Sequence, residues 1–166
     1  MIGAILIKQT GPTPELMKRE MNAIMTGTLA AVADNHFRFM HMHFEPIAFS
    51  RYGYKPRKGM NLAGKPFYRS YTGRKMKRFG HMLPLVYSGE SRDLALGNKD
   101  VRATRKEARL VQHARGLNRR NPRSDIRMND EIRAIAPSEE REAVRVAERE
   151  FKKRVQAITA TKTTRV

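Results

Sequence analysis

The 166-residue chain contains no cysteine and no tryptophan, and only 7% of its residues are aromatic. Without cysteine there are no disulfides, no thiolate metal sites and no cysteine nucleophile. The fold has to hold by packing, and its core draws on Met, Leu, Val and Ala, with ten Met present. Long hydrophobic runs are also missing. The opening MIGAILIKQTGPTP has too few apolar residues before Lys8 for a signal peptide or a bilayer span, so a soluble protein without a membrane partner is expected. Acidic residues are scarce: 34 Lys and Arg against 16 Asp and Glu leave a formal net charge of +18. Such a charge repels itself in a compact monomer and calls for a counter-charge, either nucleic acid or an acidic protein surface.

The scarcity is greatest in the middle. Between Glu45 and Glu90 no acidic residue occurs, while Arg51, Lys55, Arg57, Lys58, Lys65, Arg69, Arg74, Lys75, Lys77 and Arg78 supply ten positive charges. Tyr52, Tyr54, Phe67, Tyr68, Tyr71 and Phe79 interleave with Gly53, Gly59, Gly64, Gly73 and Gly80, which reads as loops and turns anchored by aromatics. These ten cations are the candidate contact residues for a partner or nucleic acid. Lys and Arg neutralise phosphates or carboxylates, and Tyr and Phe stack on bases or pin loops.

One domain is expected over 1–166, opening with an arm or strand at 1–12. A long helix at 13–45 follows, with Thr13 as cap, Pro14 at its first position and an apolar stripe from Leu16, Met17, Met21, Ile24, Met25, Leu29, Val32 and Ala33. The basic aromatic excursion fills 46–82, with one helical turn near Pro66 to Tyr71. Strands and loops occupy 83–135. Leu83 to Tyr87, Leu94 to Leu96, Val101 to Thr104 and Ala108 to Ala114 read as short strands, with a hairpin turn at Gly97 to Asp100 and an exposed loop from Arg115 to Arg127. A closing helix spans 136–158, acidic at Glu139, Glu140 and Glu142 and basic at Lys152, Lys153 and Arg154. It should pack on the first helix, ahead of a frayed tail at 159–166. The fold class is α+β, two principal helices on a small antiparallel sheet with a long basic loop excursion.

Catalytic constellations find little support. His36, His41, His43 and Glu45 are ligand types for zinc, but a spacing of five turns His36 and His41 about 140° apart on a helix, and the expected metal and cofactor content is none. Glu90 and Asp93 flank Arg92 as a turn would. Ser88-Gly89 lacks a nucleophile-elbow context, and no phosphate loop or dinucleotide fingerprint occurs. No enzyme is expected.

The string Pro84-Leu85-Val86-Tyr87-Ser88-Gly89-Glu90-Ser91-Arg92-Asp93-Leu94 resembles the tail-completion and head-to-tail joining (neck) proteins of tailed bacteriophages. In that pattern a helix precedes a basic loop, and a Leu-x-x-(Thr/Ser)-Gly-x-Leu-Arg string leads into short strands. Ser91 departs from it, standing where Leu is expected. The resemblance implies a non-enzymatic virion protein of the neck or tail, assembled in the bacterial host cytoplasm. It implies a ring of neighbouring copies that joins portal or connector to tail proteins, with packaged DNA as a further contact. The alternative is a basic nucleic-acid-binding protein of ribosomal or chromatin type.

Overall fold

The computed structural model describes residues 13–57, 59, 68–86, 89–97, 99–112, 117 and 125–163. The expectations for 1–12, Lys58, Lys65, 87–88, 98, 113–116, 118–124 and 164–166 lie outside the described residues; of the helical turn expected at Pro66 to Tyr71, 68–71 are described, and helix there begins only at Tyr71. Helix α1 runs Pro14–Phe37, started as expected: the Thr13 side chain accepts from the Leu16 N–H at 3.3 Å and Pro14 opens the first turn. Its stripe is buried only in part. Ile24 and Thr28 are covered, whereas Leu16, Met17 and Met21 are exposed.

The expected helix to residue 45 is interrupted. The Arg38 N–H turns back to the carbonyls of Asn35 and His36, and a 3₁₀ segment follows over Met40–Phe44. Three residues per turn stack Met40 over His43, and both enter the core beside Phe44.

The excursion is less irregular than its glycines suggest. Helix α2 spans Ala48–Arg51 and α3 spans Tyr71–Phe79. The ends of α3 follow ordinary capping chemistry. Ser70 Oγ accepts from the Gly73 N–H at 3.0 Å, and Gly80, at φ +72°, closes the helix by donating to the Met76 carbonyl. Its buried residues are Thr72, Gly73 and Lys75.

Leu94 to Leu96, read as a strand, belongs to helix α4, Glu90–Gly97. Gly89 at φ +98° precedes it, and Glu90 and Asp93 favour the positive end of its dipole. The neighbouring Pro84, Leu85 and Val86 form no strand; they plug the core, with Leu85 held at φ +55°.

The hairpin is present but shifted. Strand β1, Lys99–Ala103, pairs antiparallel with β2, Ala108–Gln112, with Val101 opposite Leu110 and Ala103 opposite Ala108. The turn therefore falls at 104–107, where the Thr104 N–H donates to the Glu107 carbonyl at 2.8 Å, and not at Gly97 to Asp100. Like charges face each other at Arg102 and Arg109, and each is offset by its own neighbour: Arg102 meets Asp100 at 2.8 Å and Arg109 meets Glu107 at 2.9 Å.

Helix α5 spans Met128–Glu131, and α6 spans Pro137–Thr163, longer than expected because nothing in the tail, neither Pro nor Gly, stops it. Helices α1 and α6 pack together, and the hairpin packs on α1, giving the expected α+β arrangement. The core joins Met40, Phe44, Ala48, Tyr54, Leu85, Val86, Ala95, Leu117 and Ile132. Leu117 enters it from a stretch that reads as exposed loop.

Candidate functional site

The eight described cations of the acid-free segment separate into two groups. Arg51, Arg57 and Lys75 are drawn into the fold. Arg51 donates from Nε to Glu139 Oε1 at 2.9 Å and from a terminal nitrogen to Ser138 Oγ at 3.1 Å. Arg57 makes a bidentate pair with Glu131 at 2.8 and 2.7 Å. Both guanidiniums also lie against rings, Arg51 over Phe39 and Tyr52 at 5.8 Å each, Arg57 over Phe49 at 5.5 Å and Tyr54 at 5.9 Å. The counter-charges come from 74 and 88 residues downstream, so these pairs tie the excursion to the start of α6 and to α5.

A histidine lies at the centre of this knot. His43 is fully buried, stacked on Tyr52 with centroids 3.9 Å apart, and its Nδ1 is 2.5 Å from the Tyr54 hydroxyl. Tyr52 in turn donates its hydroxyl to Glu139 Oε1 at 2.5 Å. His36 Nδ1 stands 3.9 Å from the other Glu139 oxygen. Burial pushes His43 down to about 4, with His36 and Arg51 adding to the effect and Glu139 opposing it, so the ring is neutral near pH 7. Burial likewise raises both Tyr52 and Tyr54 above their ordinary range. With His43 and Glu139 buried and Arg51 and His36 still 22% and 23% exposed, the group acts as a structural tie between elements. His41 takes a different direction, with its Nδ1 2.9 Å from the Arg38 carbonyl, so the three histidines do not converge. Among the described residues no group of three or more His, Asp or Glu side chains is placed to hold a metal. Of the carboxylates near α4, Asp93 pairs with Arg92 at 3.0 Å.

Lys75 is only 6% exposed and donates to the Leu83 carbonyl; no carboxylate among the described residues pairs with it. Burial, aided by Arg57, pulls its pKa from 10.5 to about 8. At about 1.4 kcal/mol per pH unit the buried charge costs about 3 kcal/mol, and the hydrogen bond to Leu83 offsets about 1 kcal/mol. Lys75→Met is therefore expected to stabilise the protein by about 2 kcal/mol at pH 7. The unfolded chain holds the proton up to 10.5 and the folded chain only to about 8, so the native protein gains stability as pH rises through that window. The advantage of Lys75→Met should shrink accordingly between pH 8 and 10, as urea unfolding at both ends of the window will measure.

Lys55, Arg69, Arg74, Lys77 and Arg78 remain, all exposed and without an ion pair to any described residue. Arg74, Lys77 and Arg78 lie on the outward side of α3, together with Tyr71, which is 55% exposed; Tyr68, at 78%, stands just before the helix beside Arg69. This basic and aromatic face is the candidate interaction surface. The residues missed by sequence reasoning are Glu131 and Glu139, whose long-range pairing with Arg57 and Arg51 has no local signal. No helix among the described residues is long and apolar enough to cross a membrane. No family model, curated protein or solved structure matches the chain.

Proposed function

We propose that the protein is a non-enzymatic joining subunit of a tailed-phage particle, acting at the neck or in tail completion as one member of a ring between portal or connector and tail. Its mechanism is recognition without chemistry. The observation that carries the docking part of this reading is the exposed cationic face of α3, unpaired among the described residues, in a segment where no acidic residue competes for it. The phage assignment rests on the likeness of Pro84 to Leu94 to the joining proteins. In that setting the string has a physical role, with Pro84, Leu85 and Val86 filling the core and Gly89 launching α4. Ser70 Oγ donates to the Gly59 carbonyl at 3.2 Å and buried Lys75 donates to the Leu83 carbonyl, which hold α3 to its neighbours, so its outward cations are presented from a fixed helix and the ordering cost of binding is reduced.

Deleting the gene in the producing phage is the test. Separate heads and tails should accumulate, visible by electron microscopy, and supplying the protein should join them. Intact particles formed in its absence overturn the proposal. A nucleic-acid role would appear as tight binding to generic duplex DNA whose log affinity falls with log salt at about −0.9 per phosphate contact.

A further inference from the structure

We propose that Lys75, His81 and Arg92 form a binding site for a small phosphate-type oxyanion on the buried side of α3, apart from its exposed cations. Lys75 keeps its charge inside the fold at a net cost to stability, and the described residues offer no carboxylate in return. An ammonium has three N–H donors, and one of them goes to the Leu83 carbonyl. His81 Nδ1 is a second unmet group, buried and without a hydrogen-bond partner among the described residues. Polar atoms left this way inside a protein call for a partner. Lys75 and Arg92 also act on the same imidazole: after burial itself, they hold His81 below its ordinary range.

The chain brings the three groups together by turning after α3. Gly80, at φ +72°, ends the helix, His81 stacks on Phe79 with ring centroids 6.1 Å apart, and Lys75 reaches forward eight residues to the Leu83 carbonyl. Arg92 comes from α4, where its Nε–H meets Asp93 Oδ1 at 3.0 Å and its terminal nitrogens make no hydrogen bond to a described residue. The other charges nearby are accounted for: Arg57 is held by Glu131, and Glu90 and Asp93 on α4 are exposed. An oxyanion that accepts from the Lys75 ammonium, the Arg92 fork and the His81 Nδ1–H supplies the missing partner of each. Lys75 is 6% exposed while His81 and Arg92 are half-buried, so the ligand enters past the imidazole and the guanidinium. A free ion reaches a nitrogen so placed, and a polynucleotide backbone does not.

Calorimetric titration of the purified full chain with inorganic phosphate, at pH 7 and constant ionic strength in chloride, should show one saturable site. Lys75→Met, which is expected to fold more stably than the wild type, should weaken binding at least about tenfold, as should His81→Phe, which keeps a ring on Phe79. Arg74→Gln with Lys77→Gln and Arg78→Gln should leave it unchanged. Saturating phosphate should also stabilise the wild type and not Lys75→Met, so the advantage of the variant shrinks as phosphate is added. Sulfate, whose charge is constant from pH 7 to 9, should bind the wild type about tenfold more weakly at pH 9, because Lys75 passes from about nine-tenths to about one-tenth charged around a pKa of about 8. A wild type that binds no phosphate, a Lys75→Met or His81→Phe protein that binds it as tightly, equal sulfate affinity at the two pH values, or a loss confined to the outer triple variant would overturn the inference. Displacement of phosphate by a short DNA duplex in the wild type, lost in Lys75→Met, would put a polymer phosphate in the site and overturn the free-ion assignment. Particle joining is decided separately by the gene deletion, since neither result depends on the other.

Discussion

Glu139→Ala is expected to cost about 3 kcal/mol of folding stability, from the lost charge-assisted hydrogen bond to Arg51 and the unsatisfied Tyr52 hydroxyl. Glu139 is 2% exposed and its Oε1 accepts from both the Arg51 Nε–H at 2.9 Å and the Tyr52 hydroxyl at 2.5 Å. Removing it leaves the Tyr52 phenol without its acceptor inside a packed region and the part-exposed Arg51 guanidinium with Ser138 Oγ as its remaining partner. The break would propagate, because Tyr52 stacks on His43 and Arg51 ties α2 to the first turn of α6. Glu139→Gln, which keeps one acceptor and the volume, should lose less. Chemical denaturation of the three proteins at one pH measures the order, and a Glu139→Ala protein as stable as the wild type would remove the knot from the account.

Acid is expected to unfold the protein through His43. The ring takes up a proton near its ordinary value of 6.5 in the unfolded chain but only at about 4 in the folded one. Below 6.5 the unfolded state therefore binds more protons, and stability falls as pH drops from 6.5 to about 4. At about 1.4 kcal/mol per pH unit, this one group removes about 3 kcal/mol across that window. The cause is geometric. His43 is fully buried, its Nε2 has no hydrogen-bond partner among the described residues, and its Nδ1 is committed to Tyr54. His43→Phe retains a ring on Tyr52 and abolishes the titration, so its stability curve should be flatter between pH 6.5 and 4. Equal slopes for variant and wild type would locate the acid sensitivity elsewhere.

Residues with regular apolar spacing or strong end signals read correctly from the sequence. Thr13-Pro14 and the Leu16 to Ala33 stripe placed α1, and the acidic start and basic end placed α6. The hairpin strands were legible by alternation, while their turn moved because Lys99 and Asp100 extend β1. Helix α3 carries Thr72, Met76 and Phe79 at i, i+4 and i+7, a helical period confined to nine residues inside a segment whose glycines and charges read as loop. Its caps at Ser70 and Gly80 were a second signal. Leu94-Ala95-Leu96 is too short an apolar run to separate strand from helix, and the acidic first turn after Gly89 decides it.

The candidate contact residues divide on a different principle. All ten cations look alike in sequence, and what separates Arg51 and Arg57 from Arg74 and Arg78 is the folding of Glu139 and Glu131 back onto the excursion. A charge run therefore marks where a counter-charge is needed, without saying whether it comes from within the chain.

The most direct test replaces Lys55, Arg69, Arg74, Lys77 and Arg78 together with glutamine and measures attachment of the purified protein to particles lacking it. All five side chains are exposed and form no ion pair with a described residue, so the melting temperature and helix content should match the wild type while attachment is lost. Undiminished attachment by the glutamine variant would contradict the account.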